Sequence, residues 1–326
     1  MRGTGLRCFN RMIRISIILA AVLFCVLHAP APDPRVLASI SASSINNSIQ
    51  QAQLQDYPDG EYYCPMDLDV RSSVPGFCPR CGMKLVEGVK DIVEYPLNLG
   101  ISPSDASPGE LTRLTFGIVD PKTGQPVRNF EVVHEKLFHL FVVSQDLKFF
   151  LHDHPVRQPD EDFHFDVRFP KPGMYRLLSD FFPSGGTPQL ITSTVMVSGD
   201  GFSPKPAQIE ADLSPQKSEN SEVRLEIAPK RVVAGEKVSM FFRVTPDDGM
   251  ELYLGVWGHM LAASSDLVDM IHNHPFQAVD GRANAFKELQ FDMVFPRAGV
   301  YRVWVQFKRL GIVNTVAFNV PVAEST

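Results

Sequence analysis

"FDVRFPKPGMYRL", Phe165 to Leu177, carries the fold of this chain, because it is written a second time as "FDMVFPRAGVYRV", Phe291 to Val303. In each copy an apolar/polar alternation runs into a Pro/Gly turn, and a new strand pattern follows at once. The tyrosine at that corner is expected to anchor it. Working outward, "PGELTRLTFGIV" before the first copy parallels "AGEKVSMFFRV" before the second. Further alternating stretches, "TSTVMVS", "VRLEIA" and "NTVAFNV", are broken by Pro, Gly and Asp. Several short strands per unit, in two units of roughly 100 residues, predict a mainly β protein with two Ig-like β-sandwich repeats. The repeats are expected at residues 92–197 and 222–322. A Pro-, Ser- and charge-rich linker lies between them at 198–221.

A second pattern is also duplicated. "FHLFVVSQDLKFFLHDHP" (Phe138 to Pro155) and "GHMLAASSDLVDMIHNHP" (Gly258 to Pro275) each place two histidines thirteen and fifteen residues after a first. With Ser144–Leu147 as a hairpin turn, His139 falls opposite His152, and His154 lies on the same strand face. The same arithmetic puts His259 opposite His272, with His274 beside it. Three imidazoles on one face suit Cu(II) or Zn(II). Duplication copies fold-maintaining residues as readily as ligands, so an architectural role is the competing expectation. His164 has Gln290 at its place in the second copy and is expected at the surface. His134 carries no argument of its own.

The N-terminus reads as an export signal. Arg2, Arg7, Arg11 and Arg14 precede the apolar run "ISIILAAVLFCVL" from Ile15 to Leu27, too short for a membrane span and right for a signal-peptide core. Cleavage after Ala38 is expected, with an uncleaved anchor as the alternative. Residues 39–61, rich in Ser, Asn and Gln, read as a flexible spacer. Removing 1–38 takes away five arginines and one aspartate, leaving 26 basic and 36 acidic residues and a net charge of −10. Such a balance argues against nucleic acid and anionic lipid as partners.

The remaining cysteines, Cys64, Cys78 and Cys81, lie within eighteen residues of one another, which is no disulfide scaffold. Cys78-Pro-Arg-Cys81-Gly82 spaces two thiolates to chelate one ion from a single turn, and Cys64 adds a third. Met66 and Met83 place soft thioethers beside them, and Asp67 is the nearest oxygen for a fourth position. The whole stretch, "YYCPMDLDVRSSVPGFCPRCGMKLVEG", resembles the small heavy-metal-binding domain that accompanies copper-exporting ATPases and the periplasmic adaptors of metal-efflux pumps. Members usually read CPMHP, whereas here Asp67 and Leu68 follow Met66. The resemblance implies a metal-binding module at 62–88.

Neither β-repeat contains cysteine, which excludes a blue-copper centre. No GxSxG, HExxH or phosphate-cradling glycine loop occurs, and no residue stands out as general base for a His₃ zinc hydrolase. The sequence therefore predicts a non-enzymatic, exported metal-binding protein. It would handle copper-like or zinc ions in the periplasm or outside the cell, with a metal-efflux or other envelope protein as partner. The alternative is an adhesion or assembly protein whose metal module is a structural staple.

Overall fold

The computed structural model describes residues 62–64, 70–79, 84–87, 93–200, 205–275 and 288–325. The expected signal and spacer fall outside the described residues. Among the described residues every regular element is a strand, so none is a helix long and apolar enough to cross a membrane. The cysteine module contributes β1 (Tyr62–Tyr63), β2 (Arg71–Ser72) and β3 (Val86–Glu87), paired in the order β2-β1-β3.

The first repeat holds β4 (Leu97–Ser102), β5 (Leu111–Ile118), β6 (Phe138–Ser144), β7 (Phe150–Asp153), β8 (Val156–Arg157), β9 (Phe163–Arg168), β10 (Gly173–Phe181) and β11 (Gln189–Val197). They form two sheets, β4-β5-β9-β8 and β11-β10-β6-β7. The second repeat holds β12 (Gln216–Lys217), β13 (Glu222–Ala228), β14 (Lys237–Thr245), β15 (Met250–Glu251), β16 (His259–Ser264), β17 (Met270–Asn273), β18 (Leu289–Val294), β19 (Gly299–Arg309) and β20 (Ile312–Val322). Its sheets are β12-β13-β14-β18 and β15-β19-β16-β17, with β20 also paired to β19. Each pair of sheets closes on its own core, led by Phe116, Phe138 and Phe163 in the first repeat and by Phe242, Phe291 and Phe318 in the second.

Strands β5 and β14 alternate between buried and more exposed residues, as expected of a sheet with one wet face. Strands β6 and β16 do not, being buried along their whole length. Phe138, Leu140 and Val142 point into the first core, while Phe141 and Val143 point the other way. There they join Leu178, Leu261, Ala263 and Trp304 in a third cluster that draws on both repeats. Phe150 stacks on Trp304 across it, with ring centroids 5.0 Å apart. The two repeats therefore pack inner sheet against inner sheet.

The stretch expected as a linker is laid against this assembly. Ala207 and Ile209 pack on the shared cluster, the Ala207 amide donates to the Ser265 carbonyl, and β12 adds an edge strand to β13.

The repeated corner tyrosines are buried, and both hydroxyls are engaged. Tyr175 donates to the Lys171 carbonyl at 2.9 Å, and Tyr301 donates to the Asp269 carboxylate at 2.6 Å. Asp269 immediately precedes the histidine-bearing β17 and also accepts from Arg297 Nε at 2.9 Å. Tyr301→Phe should therefore lower stability by about 1.5–3 kcal/mol, the usual worth of a hydrogen bond to a charged group. Urea unfolding would show this as a lower midpoint with unchanged slope, and an unchanged midpoint would deny the anchor.

Candidate metal centre

Each duplicated histidine segment is a hairpin, but its register differs by two residues from the one expected. Phe141 lies opposite His152, and Leu261 lies opposite His272. The loop is longer because the Ser144 amide bonds to the Phe149 carbonyl, leaving four residues outside the ladder. Asp146 fills that loop by accepting from Ser144 Oγ and the Lys148 amide, and Leu147 turns it with φ of 58°. Asp266 and Leu267 do the same in the second copy. A shift of two preserves strand parity, so the three histidines of each hairpin stay on one face. That face is the one turned toward the other repeat.

Consequently His139, His152, His154, His259, His272 and His274 converge between the repeats. Within the first hairpin, His139 Nδ1 is 3.2 Å from both His152 Nε2 and His154 Nε2. In the second, donor atoms of His259, His272 and His274 all lie within 4.8 Å of one another, and those of His139, His152 and His259 form a like set across the boundary.

The outer nitrogens of four of these rings are held by oxygen. His139 Nε2 donates to the Val133 carbonyl at 3.0 Å, and His259 Nε2 donates to the Tyr253 carbonyl at 3.1 Å. His272 Nδ1 donates to the Asp180 carboxylate at 2.6 Å, and His152 Nδ1 donates to the Gln306 side-chain carbonyl at 2.8 Å. Carbonyl and carboxylate oxygens only accept, so in a neutral ring the inward nitrogen is a bare lone pair. His139 Nδ1 and His152 Nε2 thus face each other as two acceptors. His259 Nδ1, His272 Nε2 and both nitrogens of His274 are buried with no hydrogen-bond partner. Burial pushes His139 down to about 4, His154 to about 3, and His152, His259 and His274 well below the ordinary histidine value. Neighbouring histidines add to the effect in every case.

A cation is what such a group of lone pairs fits. Metal–nitrogen bonds of about 2.0–2.1 Å put two tetrahedral ligand atoms about 3.3 Å apart, close to the 3.2 Å found for His139 with its two neighbours. Ring-centroid separations within the hairpins, from 4.4 Å (His272–His274) to 6.0 Å (His259–His272), leave the rings room to meet at shared points.

Sequence reasoning missed three parts of this centre. His134 sits on a two-residue turn with Glu135, both at positive φ, and its ring lies 3.8 Å from that of His274. That is closer than two ligands of one tetrahedral ion would stand, so His134 covers His274. Burial pushes it to about 3. Asp180 and Gln306 were also missed, although each follows its corner tyrosine by five residues and the repeats align them. His164 does not join the centre; it is half-buried on β9, with Nε2 3.0 Å from Asp160 Oδ2.

In the cysteine module, Cys64 and Cys78 are both buried, packed with Leu85. Cys81, Met66, Asp67 and Met83 fall outside the described residues.

The model of the heavy metal binding domain matches residues 61–87. No curated protein matches the chain. Among solved structures, the Escherichia coli adhesin FdeC is 14% identical over 74% of this chain and 69% of its own, with a TM-score of 0.24. A fibronectin(III)-like module of Clostridium thermocellum CbhA is 12% identical over 70% of this chain and 95% of its own, at 0.20. Red sea bream transglutaminase is 10% identical over 72% of this chain, at 0.22, and the present chain spans about a third of its length (32%). At such scores these likenesses say nothing about function. One family model, described as a domain of unknown function (DUF8832), matches residues 93–199 and again 216–324. These two matches take in well over half of the sequence and each contains one histidine hairpin, so the chain belongs to the DUF8832 family, here in tandem behind a heavy metal binding domain.

Proposed function

We propose that this protein captures and passes on copper or zinc ions outside the cytoplasm, using two chemically distinct sites in one chain. The reading is carried by the convergence of bare, buried imidazole nitrogens between the repeats, in a chain that also bears a heavy metal binding domain. Thiolates of Cys64, Cys78 and Cys81, with Met66, Met83 or Asp67 completing the shell, suit Cu(I) or Zn(II). The all-nitrogen histidine centre suits Zn(II) or Cu(II). Export rests on the arginine-flanked apolar segment before Ala38, and a metal-efflux or other envelope protein is the expected recipient. We read the work as binding and transfer rather than catalysis.

Elemental analysis of protein purified without added metal tests this, run beside a Cys64/Cys78/Cys81→Ser variant. Both should carry copper or zinc, and the variant should retain what the histidines hold. It should also give up that metal to a chelator while its strands persist by circular dichroism. A variant that folds yet stays empty after incubation with either ion would make the histidines architecture.

A further inference from the structure

Building on the metal-handling reading, we propose that the histidine centre holds two ions of unequal affinity. The tighter sits on His259, His272 and His274, and the weaker, exchangeable one sits on His139, His152 and His154. The count comes first. A tetrahedral ion takes four ligands, so one ion among these six rings leaves at least two imidazoles of the buried cluster unligated. Two ions with three imidazoles each use all six and follow the duplication of the sequence.

The inequality comes from what stands behind the rings. Asp180 and Gln306 occupy the same position in the two repeats, opposite His139 and His259 in the ladders β10–β6 and β19–β16. Each reaches across to the other repeat's hairpin. Asp180 puts a carboxylate on His272 Nδ1, whereas Gln306 puts a neutral amide oxygen on His152 Nδ1. A carboxylate partner raises the basicity of the ligating imidazole and offsets part of the ion's charge. It is the second repeat's set that has one.

Accessibility points the same way. His259, His272 and His274 are 1%, 5% and 4% exposed, and the His134 ring covers His274. At the position of His134 the second repeat has Leu254, also at positive φ. His154 keeps 13% of its side chain exposed, and His152 with Gln306 lines an open cleft of about 560 Å³ bounded by Lys148, Arg302 and Trp304. An ion in the first hairpin can therefore exchange with solvent. Because His259 lies within 4.8 Å of donors in both hairpins, the second ion enters the field of the first, which widens the gap.

The test is a zinc titration of the full chain bearing Cys64/Cys78/Cys81→Ser, by calorimetry and by competition with a chromogenic chelator. Two ions per chain are expected, in steps separated by at least about 10-fold. Asp180→Asn should weaken the tight step roughly 10–100-fold and leave the weak step in place. Gln306→Glu should tighten the weak step and narrow the gap. His154→Ala, at the half-buried rim, should remove the weak step alone. One ion per chain, or two equal steps indifferent to both Asp180→Asn and Gln306→Glu, would overturn the inference while leaving the metal reading intact. No zinc bound by a variant that circular dichroism shows to be folded would overturn both.

Discussion

Lowering the pH from 6.5 to 4 should remove several kcal/mol from the stability of the metal-free protein. Histidines of the unfolded chain take up protons near pH 6.5. In the folded chain burial holds His139 at about 4, and His134 and His154 at about 3. These folded values are depressed, so the folded state stays unprotonated where the unfolded state gains charge. Stability is full above pH 6.5 and falls as the pH drops toward the folded values. Each such ring contributes up to about 1.4 kcal/mol per pH unit, so His139 alone accounts for roughly 3 kcal/mol across the window. That is a large share of the 5–15 kcal/mol typical of a domain. Urea unfolding in EDTA at pH 7.5, 6, 5 and 4.5 would measure it. Saturating zinc should push the acid loss to lower pH, since the ion competes with protons for the same nitrogens. A stability that stays flat from pH 7 to 5 without metal would mean the rings are not buried together as described.

Much of this architecture was legible in the sequence. The repeated "PGMYRL" and "AGVYRV" corners and the alternation in β5 and β14 marked two sandwiches, because a sheet with one wet face shows its period directly. The spacing of the six histidines placed them on one face even with the register wrong, since the loop error was an even number of residues. What could not be read was the encounter of the two hairpins. Periodicity reports which face of a strand is buried, never what buries it. One signal was available: "FHLFVVS" is apolar on both parities apart from its histidine and its last residue, as a strand buried on both faces must be. His134, Asp180 and Gln306 were illegible for the same reason, since each acts on the opposite repeat. The cysteine spacing stood out because its pattern is local, written between Cys64 and Cys81.

Phe141→Ala should do what an ordinary core truncation does not. Phe141 is 1% exposed, stacks on His152 with centroids 4.2 Å apart and planes 12° apart, and lies 4.6 Å from the His272 ring. It is thus a member of the layer between the repeats and also a wall against one histidine from each hairpin. Truncating a buried phenylalanine typically costs about 3–5 kcal/mol. Phe116→Ala, deep in the first sandwich, should cost a comparable amount, but its ring packs on Phe138 and touches no histidine of the centre. The two variants therefore separate stability from site geometry. Both should unfold at lower urea, yet only Phe141→Ala should also lose about 10-fold or more in zinc affinity, the usual cost of loosening what orients a ligand. The comparison is made well below either unfolding midpoint, so that both chains are folded when the ion is added. Equal zinc affinities in the two variants would show that the imidazoles are positioned by their own hairpins. Unequal ones would show that the contact between the repeats builds the centre.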